Sequence, residues 1–297
     1  MQAIRALLLF SLLCIWPIMP VQAGSFIHGV FAGYETNIDT ANTPMRRDGI
    51  TAVRLWTDIA WSSFDPNEAS FEQAVALKSL GYKVTLLLQT SAVPTYQQAR
   101  AYFDWVQTVP GLKDAVDNWE ILNELNNSQY WAGNAQQYVD NVLKAAWDSF
   151  HPAGEKVVGA STTAWQADSS GVYGWKTTYN QALVDAGYLN YVDYANVHPY
   201  TNTTDEMESW LAAIAPIYGS KPILATEFNF KRMNDWNEWA DALKSVYPTI
   251  YSTLAGVFYY RLLQSGSEGG WPGLLTTDYQ PQQPFYQTWK QLTRYQP

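Results

Sequence analysis

Two glutamates, each at the end of a short apolar run, are the side chains best suited to chemistry in this 297-residue chain. Glu124 ends the run Trp119-Glu120-Ile121-Leu122-Asn123-Glu124, and Glu227 ends the run Pro222-Ile223-Leu224-Ala225-Thr226-Glu227. If both runs are parallel strands of one sheet, both carboxylates lie at the edge where those strands end. One protonated and one ionised carboxyl group in a single cleft form the pair that glycoside hydrolysis requires. Either glutamate alone could equally be a salt-bridged structural residue, so the hypothesis rests on the pair.

The elements that must position these glutamates follow from apolar strands that alternate with amphipathic helices. Helices are predicted over residues 71–80, 96–107, 136–150, 175–186, 205–218, 235–246 and 284–292, after a short first helix near 43–49. The eight predicted strands cover residues 26–33, 52–56, 83–89, 118–123, 156–160, 191–197, 222–227 and 256–260. Eight such units predict an α/β fold, a closed (β/α)8 TIM barrel in a single domain. The first strand lacks a glycine-rich phosphate loop, which argues against a dinucleotide-binding sheet.

The first 23 residues have the pattern of a secretory signal peptide. Arg5 gives a basic start, residues 6–18 are apolar, and Val21-Gln22-Ala23 is a small-residue cleavage site. We therefore expect cleavage near Ala23, a secreted protein (periplasmic or extracellular), and a catalytic domain over residues 24–297. Cys14 is the only cysteine and lies in the signal, so the mature chain should have neither a thiol nor a disulfide.

Charge and composition narrow the class of partner. Loss of Arg5 with the signal takes the formal charge from −9 to −10 (−9 − 1 = −10). An acidic chain without clusters of Lys and Arg argues against nucleic acid or a membrane as partner. The 14 Trp and 20 Tyr residues suit a cleft that stacks sugar rings. We expect a monomer that binds a polysaccharide or oligosaccharide.

Cofactor and metal chemistry have little support in the sequence. The chain has three histidines (28, 151 and 198) and no cysteine after the signal, so no metal site and no cofactor are predicted. A Gly-x-Ser-x-Gly elbow, the mark of many serine hydrolases, does not occur. His198 could simply be a buried histidine that bonds to the backbone. Arg54, at the end of the second strand, could be an ion pair in the barrel wall, or it could hold Glu227 ionised.

The order of these motifs resembles glycoside hydrolase clan A, with families 39 and 5 as the nearest. The resemblance is carried by Asn123-Glu124, by His198-Pro199-Tyr200 and by Glu227. Val53-Arg54-Leu55-Trp56 and Gly273-Leu274-Leu275-Thr276-Thr277-Asp278 agree with it, so the similarity covers nearly the whole mature chain.

This resemblance implies retaining hydrolysis, with Glu124 as acid/base and Glu227 as nucleophile. It implies that Asn123 contacts the sugar 2-hydroxyl, that Tyr200 and Arg54 hydrogen-bond Glu227, and that His198 lines the sugar subsite.

The chain departs from the clan pattern at two places. Leu125 follows Asn123-Glu124 where proline is usual, which should leave that loop less constrained. The tryptophan common at the end of strand eight is replaced by Tyr259 or Tyr260, unless Trp271 folds back to supply the platform.

Three tryptophans in predicted loops are candidate sugar platforms: Trp131, Trp165 and Trp271. Anchoring of the loops is an equally open role for each of them. The sequence as a whole predicts a secreted retaining β-glycoside hydrolase, endo-acting, with a glucan or an exopolysaccharide favoured as substrate. A catalytically inactive glycan-binding barrel and a transglycosylase with the same two glutamates remain as alternatives.

A retaining mechanism fixes the distance between the two carboxyl groups. We expect Glu124 and Glu227 to lie about 5–5.5 Å apart across the C-terminal mouth of the barrel. A crystal structure measures this distance directly. A separation of about 9 Å would leave room for a water molecule and would indicate inversion instead.

Overall fold

The computed structural model describes residues 26–33, 36–167, 170–230, 235–264 and 272–295 of the chain. The predicted signal peptide lies outside these ranges. Within them, no helix is both long enough and apolar enough to cross a membrane.

Eight parallel strands form the sheet that the alternating pattern predicts. They are β1 (Ile27–Phe31), β2 (Ala52–Asp58), β3 (Lys83–Gln89), β4 (Asn118–Ile121), β5 (Val157–Val158), β6 (Ala195–Val197), β7 (Ile223–Phe228) and β8 (Gly256–Tyr259). Neighbours in sequence are neighbours in the sheet, and β1 pairs with β8. Between β5 and β6 the pairing is a single bridge, Val158 to Tyr194. The predicted (β/α)8 TIM barrel is confirmed.

Helices between the strands cover the outside of the barrel. In chain order the α-helical and π-helical segments are Ile38–Arg47, Ala69–Ser79, Tyr96–Val106, Leu112–Ala115, Ala135–Gln137, Tyr138–Leu143, Lys144–Phe150, Thr178–Asp185, Thr204–Tyr218, Trp236–Thr253 and Phe285–Leu292. The first helix is longer than predicted, and the segment Tyr138–Leu143 is a π-helix.

An antiparallel hairpin follows β5, where no strands were predicted. Its strands are Trp165–Ala167 and Tyr173–Trp175, and Trp165 is paired with Trp175. The helix predicted from residue 175 therefore begins only at Thr178.

The interior of the barrel changes from apolar to polar along the strands. Five buried side chains form a separate apolar cluster, which on β2 and β7 lies near the strand start: Ile27, Ala52, Val158, Leu224 and Phe258. Further along β2 and β7 the buried side chains are charged or polar, and Arg54 on β2 is fully buried, as is Glu120 on β4. On these two strands the charged and polar groups therefore lie nearer the mouth of the barrel than the apolar cluster does.

A β-bulge in β7 turns the side chain of Glu227 toward the interior of the barrel. Val257 and Tyr259 of β8 pair with Ala225 and Phe228 of β7, so one residue of β8 lies opposite two of β7. In a regular strand successive side chains point to opposite faces, and Thr226 and Glu227 would diverge. The extra residue bends the strand, and both side chains reach polar groups inside the barrel.

Candidate active site

The carboxylate of Glu227 is held by two donors at the mouth of the barrel. Nη1 of Arg54 donates to its Oε1 at 2.6 Å, and the Tyr200 hydroxyl donates to its Oε2 at 2.6 Å. Burial, and then the charge of Glu227, raise the pKa of Tyr200 well above the ordinary value of tyrosine. Tyr200 therefore stays protonated and remains a donor. The predicted contacts of Arg54 and Tyr200 with Glu227 are both present.

Arg54 is also bound by a third carboxylate, which sequence reasoning did not select. Nε and Nη2 of Arg54 donate to Oε2 and Oε1 of Glu120 at 2.6 and 2.9 Å. Burial alone would lower the pKa of Arg54, but the charges of Glu120 and Glu227 outweigh it and raise the pKa. The guanidinium therefore stays charged, and it ties β2 to β4 and β7.

Glu124 lies in an irregular turn that ends β4. Leu122 has φ of 66° and Glu124 has φ of 38°, values that are uncommon for residues other than glycine. Gln89 Oε1 accepts the Asn123 N–H at 2.7 Å, and Ser161 Oγ accepts the Glu124 N–H at 3.0 Å. The neighbouring strands thus hold the backbone in a conformation that it would otherwise rarely adopt.

Leu125, the departure from the clan pattern, gives this turn a further anchor. Its N–H donates to the Ser161 carbonyl at 3.1 Å, a bond that proline could not make. The side chain of Leu125 is buried as well. The hydrogen bond of Leu125 therefore constrains the loop at the position where the clan pattern has a proline ring. The expectation of a less constrained loop is wrong.

His198 lies between the two glutamates. Its Nδ1 is 3.1 Å from Oε1 of Glu124 and 3.6 Å from Oε2 of Glu227, and its Nε2 is 3.0 Å from Oγ1 of Thr226. One oxygen from each glutamate and one ring nitrogen lie within 4.8 Å of one another. This spacing is close to the predicted carboxyl separation and far below about 9 Å.

By distance alone these three side chains could also bind a metal ion. Here their atoms are hydrogen-bonded to one another and to Arg54, Tyr200 and Thr226. The expectation of a metal-independent reaction stays a prediction.

A cleft of about 520 Å³ opens above the carboxylates. The hairpin supplies Trp165 and Tyr173, residues that are 41% and 61% exposed. Tyr260 lines the cleft where β8 ends, and its ring packs against Phe31 and Tyr200 at centroid distances of 5.1 and 6.1 Å. Tyr259 is fully buried instead and donates to the Pro272 carbonyl.

Two of the predicted sugar contacts are wrong. Trp131 is only 2% exposed, and its Nε1 donates to the Asn134 carbonyl, so it anchors its loop. His198 is fully buried beneath the carboxylates and does not line the sugar subsite. Asn123 is buried, and its Oδ1 accepts from Nη2 of Arg54 at 3.1 Å. Its contact with the sugar 2-hydroxyl stays a prediction. Trp271 lies outside the described residues.

Four polar residues of the site were missed by sequence reasoning: Gln89, Glu120, Ser161 and Thr226. Glu120 and Thr226 lie inside the two apolar runs, where a polar residue at a buried strand position was itself a usable signal. Gln89 ends β3, so the rule that chemistry gathers at strand ends could have found it. Ser161 follows β5 without a distinguishing pattern, and only the fold brings it to Glu124.

A second depression, of about 690 Å³, lies beside the helix Thr204–Tyr218. Its acidic residues are Asp205 and Glu206 at the start of that helix, and Glu206 accepts the N–H groups of Asn202 and Thr203. These contacts cap the start of the helix, so Glu206 has a structural role that requires no catalytic function. The cleft above Glu124 and Glu227 is therefore the candidate active site.

A family of known proteins matches this chain. The family described as "Glycosyl hydrolase catalytic core" matches residues 67–256, which is more than half of the chain. The chain belongs to this family. It is therefore a glycoside hydrolase catalytic core, and the resemblance read from the strand-end motifs is confirmed. A search of the curated proteins found no match.

Solved structures with the same barrel include several glycosidases. A GH128 (subgroup I) endo-β-1,3-glucanase from Amycolatopsis mediterranei, in complex with laminaritriose, superposes with a TM-score of 0.57 at 17% identity, covering 91% of this chain and 100% of that one. An endo-1,4-β-D-mannanase from Thermotoga petrophila gives 0.61 at 15% identity, with 91% and 100% covered. A β-glucosidase from Exiguobacterium antarcticum gives 0.55 at 12% identity, with 91% and 97% covered. At these identities the likeness shows the fold of this glycoside hydrolase.

Replacing Glu120 tests whether the buried ion pair supports the site of this glycoside hydrolase. Glu120→Gln keeps the shape but removes a charge that Arg54 binds at two atoms. Breaking a buried pair from one side typically costs about 3–5 kcal/mol, so urea denaturation should show a loss of that order. Turnover should fall as well, because Arg54 is no longer held in place beneath Glu227.

The control is a partly exposed ion pair between Lys78 and Asp117. Lys78→Gln should cost no more than about 1 kcal/mol. An equal small loss in both variants would show that Glu120 does not support Arg54.

Proposed function

We propose that this glycoside hydrolase is a retaining, endo-acting enzyme that cleaves a β-glucan by double displacement. The observation that carries the proposal is a short distance: one carboxylate oxygen of Glu124, one of Glu227 and a ring nitrogen of His198 all lie within 4.8 Å of one another. This spacing lets one carboxylate attack the anomeric carbon while the other protonates the departing oxygen. An inverting enzyme would need a wider gap for water.

Glu227 is the proposed nucleophile. Arg54 and Tyr200 both donate to its carboxylate, and these contacts favour the ionised form. In the first step a Glu227 oxygen bonds to the anomeric carbon as the glycosidic C–O bond breaks. The product of this step is a covalent glycosyl ester.

Glu124 is the proposed acid/base. Its Oε1 faces His198 Nδ1 at 3.1 Å, and its Oε2 accepts from the Asn127 amide at 3.5 Å. As the acid it gives its proton to the leaving oxygen. As the base it then takes a proton from the water that attacks the ester, and this releases Glu227 as a carboxylate.

The cleft supports a chain-like substrate. Trp165, Tyr173 and Tyr260 present aromatic rings along its walls, and sugar C–H faces pack on such rings. The choice of a glucan draws on structural neighbours, two of which are endo-β-1,3-glucanases and one of which was crystallised with laminaritriose. Because those likenesses show only the fold, a β-1,3-linked glucan is the first substrate to test against β-1,4-linked and mixed-linkage glucans, mannan, xylan and bacterial exopolysaccharides.

Export is part of the proposal and rests on the signal pattern of residues 1–23. N-terminal sequencing of the exported protein should give a chain that begins at Gly24. An exported or cell-associated protein that retains Met1 would contradict it.

Chemical rescue separates the roles of the two glutamates. Glu124→Ala should lose about 10²- to 10⁴-fold on polysaccharide, because the leaving oxygen is no longer protonated. With dinitrophenyl glycosides the first step should survive, and added azide should restore turnover with a glycosyl azide of retained configuration. Glu227→Ala should lose turnover on every substrate, and azide rescue should give the inverted product. Proton NMR of the products reads both outcomes.

The wild-type enzyme is the control for this experiment. Its newly formed sugar should appear first as the anomer of the substrate's own configuration. Early appearance of the opposite anomer would exclude the covalent intermediate, and exchanged rescue outcomes would exchange the two roles.

Trp165 tests the proposed sugar platform on the hairpin. Trp165→Ala should raise KM for polysaccharide about fivefold to tenfold, because an aromatic stacking contact contributes about 1 kcal/mol. The kcat for a small aryl glycoside should change little. Steady-state kinetics on both substrates measure the split.

Trp147 is a matched control, because it is partly buried on the helix Lys144–Phe150 and stacks on His151 near the opposite end of the barrel. Trp147→Ala should leave both KM values unchanged. An unchanged polysaccharide KM in Trp165→Ala would remove Trp165 from the subsite.

Two other functions remain testable in the same assays. A glycan-binding barrel without activity would bind polysaccharide and release no reducing ends. A transglycosylase would form products longer than the substrate, which product sizing separates from hydrolysis. The donor-bound Glu227 beside a second carboxyl group favours catalysis over binding alone.

A further inference from the structure

The hydroxyl of Thr226, the residue before Glu227, has three polar neighbours. Its Oγ1 lies 2.9 Å from Oε1 of Glu120, 3.0 Å from Oδ1 of Asn196 and 3.0 Å from Nε2 of His198. All four side chains are fully buried. A hydroxyl group has one proton to donate and can otherwise only accept. The destination of that single proton therefore decides the roles of the neighbours.

Two of these neighbours face the Thr226 hydroxyl with an oxygen atom that can only accept its proton. Glu120, which Arg54 binds at both oxygens, offers acceptor atoms alone. The Asn196 amide is oriented by its own contacts, since Nδ2 donates to Glu120 at 3.0 Å and Oδ1 accepts the Thr226 N–H at 3.2 Å. The Thr226 proton goes to one of these two oxygens, and none is left for His198. Nε2 of His198 must therefore be a donor that carries a proton.

The other ring nitrogen of His198 faces Glu124. Nδ1 lies 3.1 Å from Oε1 of that glutamate. With a proton fixed on Nε2, a neutral imidazole presents a lone pair at Nδ1. A lone pair and an ionised carboxylate repel each other at this distance, so the contact requires one proton between Nδ1 and Oε1.

We propose that Thr226 and Glu120 fix His198 as the Nε2–H donor, so that Glu124 and His198 hold one mobile proton between them. This proposal rests on the acid/base role of Glu124 proposed above. The mobile proton is the one that moves to the glycosidic oxygen as the C–O bond breaks. Glu124 then faces the bare Nδ1 as a carboxylate, and their repulsion favours the return of a proton from the attacking water. His198 and Thr226 are positioning residues, because they act through Glu124.

The surrounding charges agree with a proton held in the pair. The charged and titratable groups that face it from the neighbouring strands are Arg54, Glu120, Glu227 and Tyr200. Arg54 contributes +1 and the two carboxylates −2, while burial and the charge of Glu227 raise the pKa of Tyr200 and keep it neutral. A further negative charge at Glu124 would be added to a buried site that is already negative, which is unfavourable.

Nitrogen-15 NMR of histidine-labelled enzyme tests the tautomer without any need for activity. The chain has three histidines, so the loss of one signal set in His198→Asn assigns the residue. Nε2 of His198 should stay protonated across the active pH range. Its Nδ1 shift should change together with the Glu124 carboxyl carbon at a single pH, as expected of a coupled pair.

A proton on Nδ1 with a bare Nε2 would overturn the proposal, and so would separate titrations. Neither result bears on whether the enzyme retains configuration. Conversely, a chain that hydrolyses no glycan could still show the predicted tautomer, so failure of this inference and failure of the proposed function are distinguishable.

Thr226→Val removes the hydroxyl group with little change of shape. The kcat for polysaccharide and for aryl glycosides with poor leaving groups should fall about tenfold, the effect of one lost hydrogen bond. The first step with dinitrophenyl glycosides, which needs no acid, should be nearly unchanged. Thr226→Ser, which restores the hydroxyl, should recover most of the rate, with melting temperatures confirming that both variants fold. An equal loss on all leaving groups would mean a merely structural role and would overturn the proposal.

Discussion

The charge of Arg54 is the interaction on which the rest of the site depends. A guanidinium removed from water is costly unless carboxylates surround it, and here Glu120 and Glu227 do so from two other strands. The ring of Phe31 lies 5.6 Å from the guanidinium carbon and covers it further. Because Arg54 on β2 bonds to groups on β4 and β7 at once, loss of either carboxylate would leave buried N–H groups of the guanidinium without their acceptor. The contact that stabilises Arg54 inside the barrel therefore also fixes the position of Glu227.

The two glutamates at the mouth differ in their hydrogen-bond partners, and Arg54 bonds to Glu227. Glu227 receives donors on both oxygens, from a permanently charged group and from a neutral phenol. Glu124 lies opposite an imidazole whose far nitrogen belongs to the network of Thr226 and Glu120. Because one oxygen of Glu124 lies within 4.8 Å of one oxygen of Glu227, the two carboxyl groups would otherwise share one environment. Different partners give them different environments, which the proposed roles of acid and nucleophile require.

The barrel and the chemistry are separable parts of this protein. The same fold occurs, at 12–17% identity, in enzymes whose names include glucanase, mannanase and β-glucosidase. What differs between such enzymes lies in the loops at the strand ends. In this chain the loop after β5 is a hairpin that brings Trp165 and Tyr173 to the cleft. The pairing of Trp165 with Trp175 and of Ala167 with Tyr173 positions both aromatic residues at the cleft.

The sequence by itself determined the barrel, the strand ends and the pair Glu124 and Glu227, because apolar periodicity and strand order are local properties of the chain. It also indicated the contacts of Arg54 and Tyr200 with Glu227. Only the tertiary structure decided where those carboxylates point. Strict alternation from Leu224 would turn Glu227 away from the interior, and the bulge paired with β8 turns it back. Likewise, the positive φ of Glu124 depends on Gln89 at the end of β3 and on Ser161 in the segment after β5, and the burial of Trp131 depends on how its loop packs. These features come from contacts between residues far apart in the chain, and no local pattern encodes them.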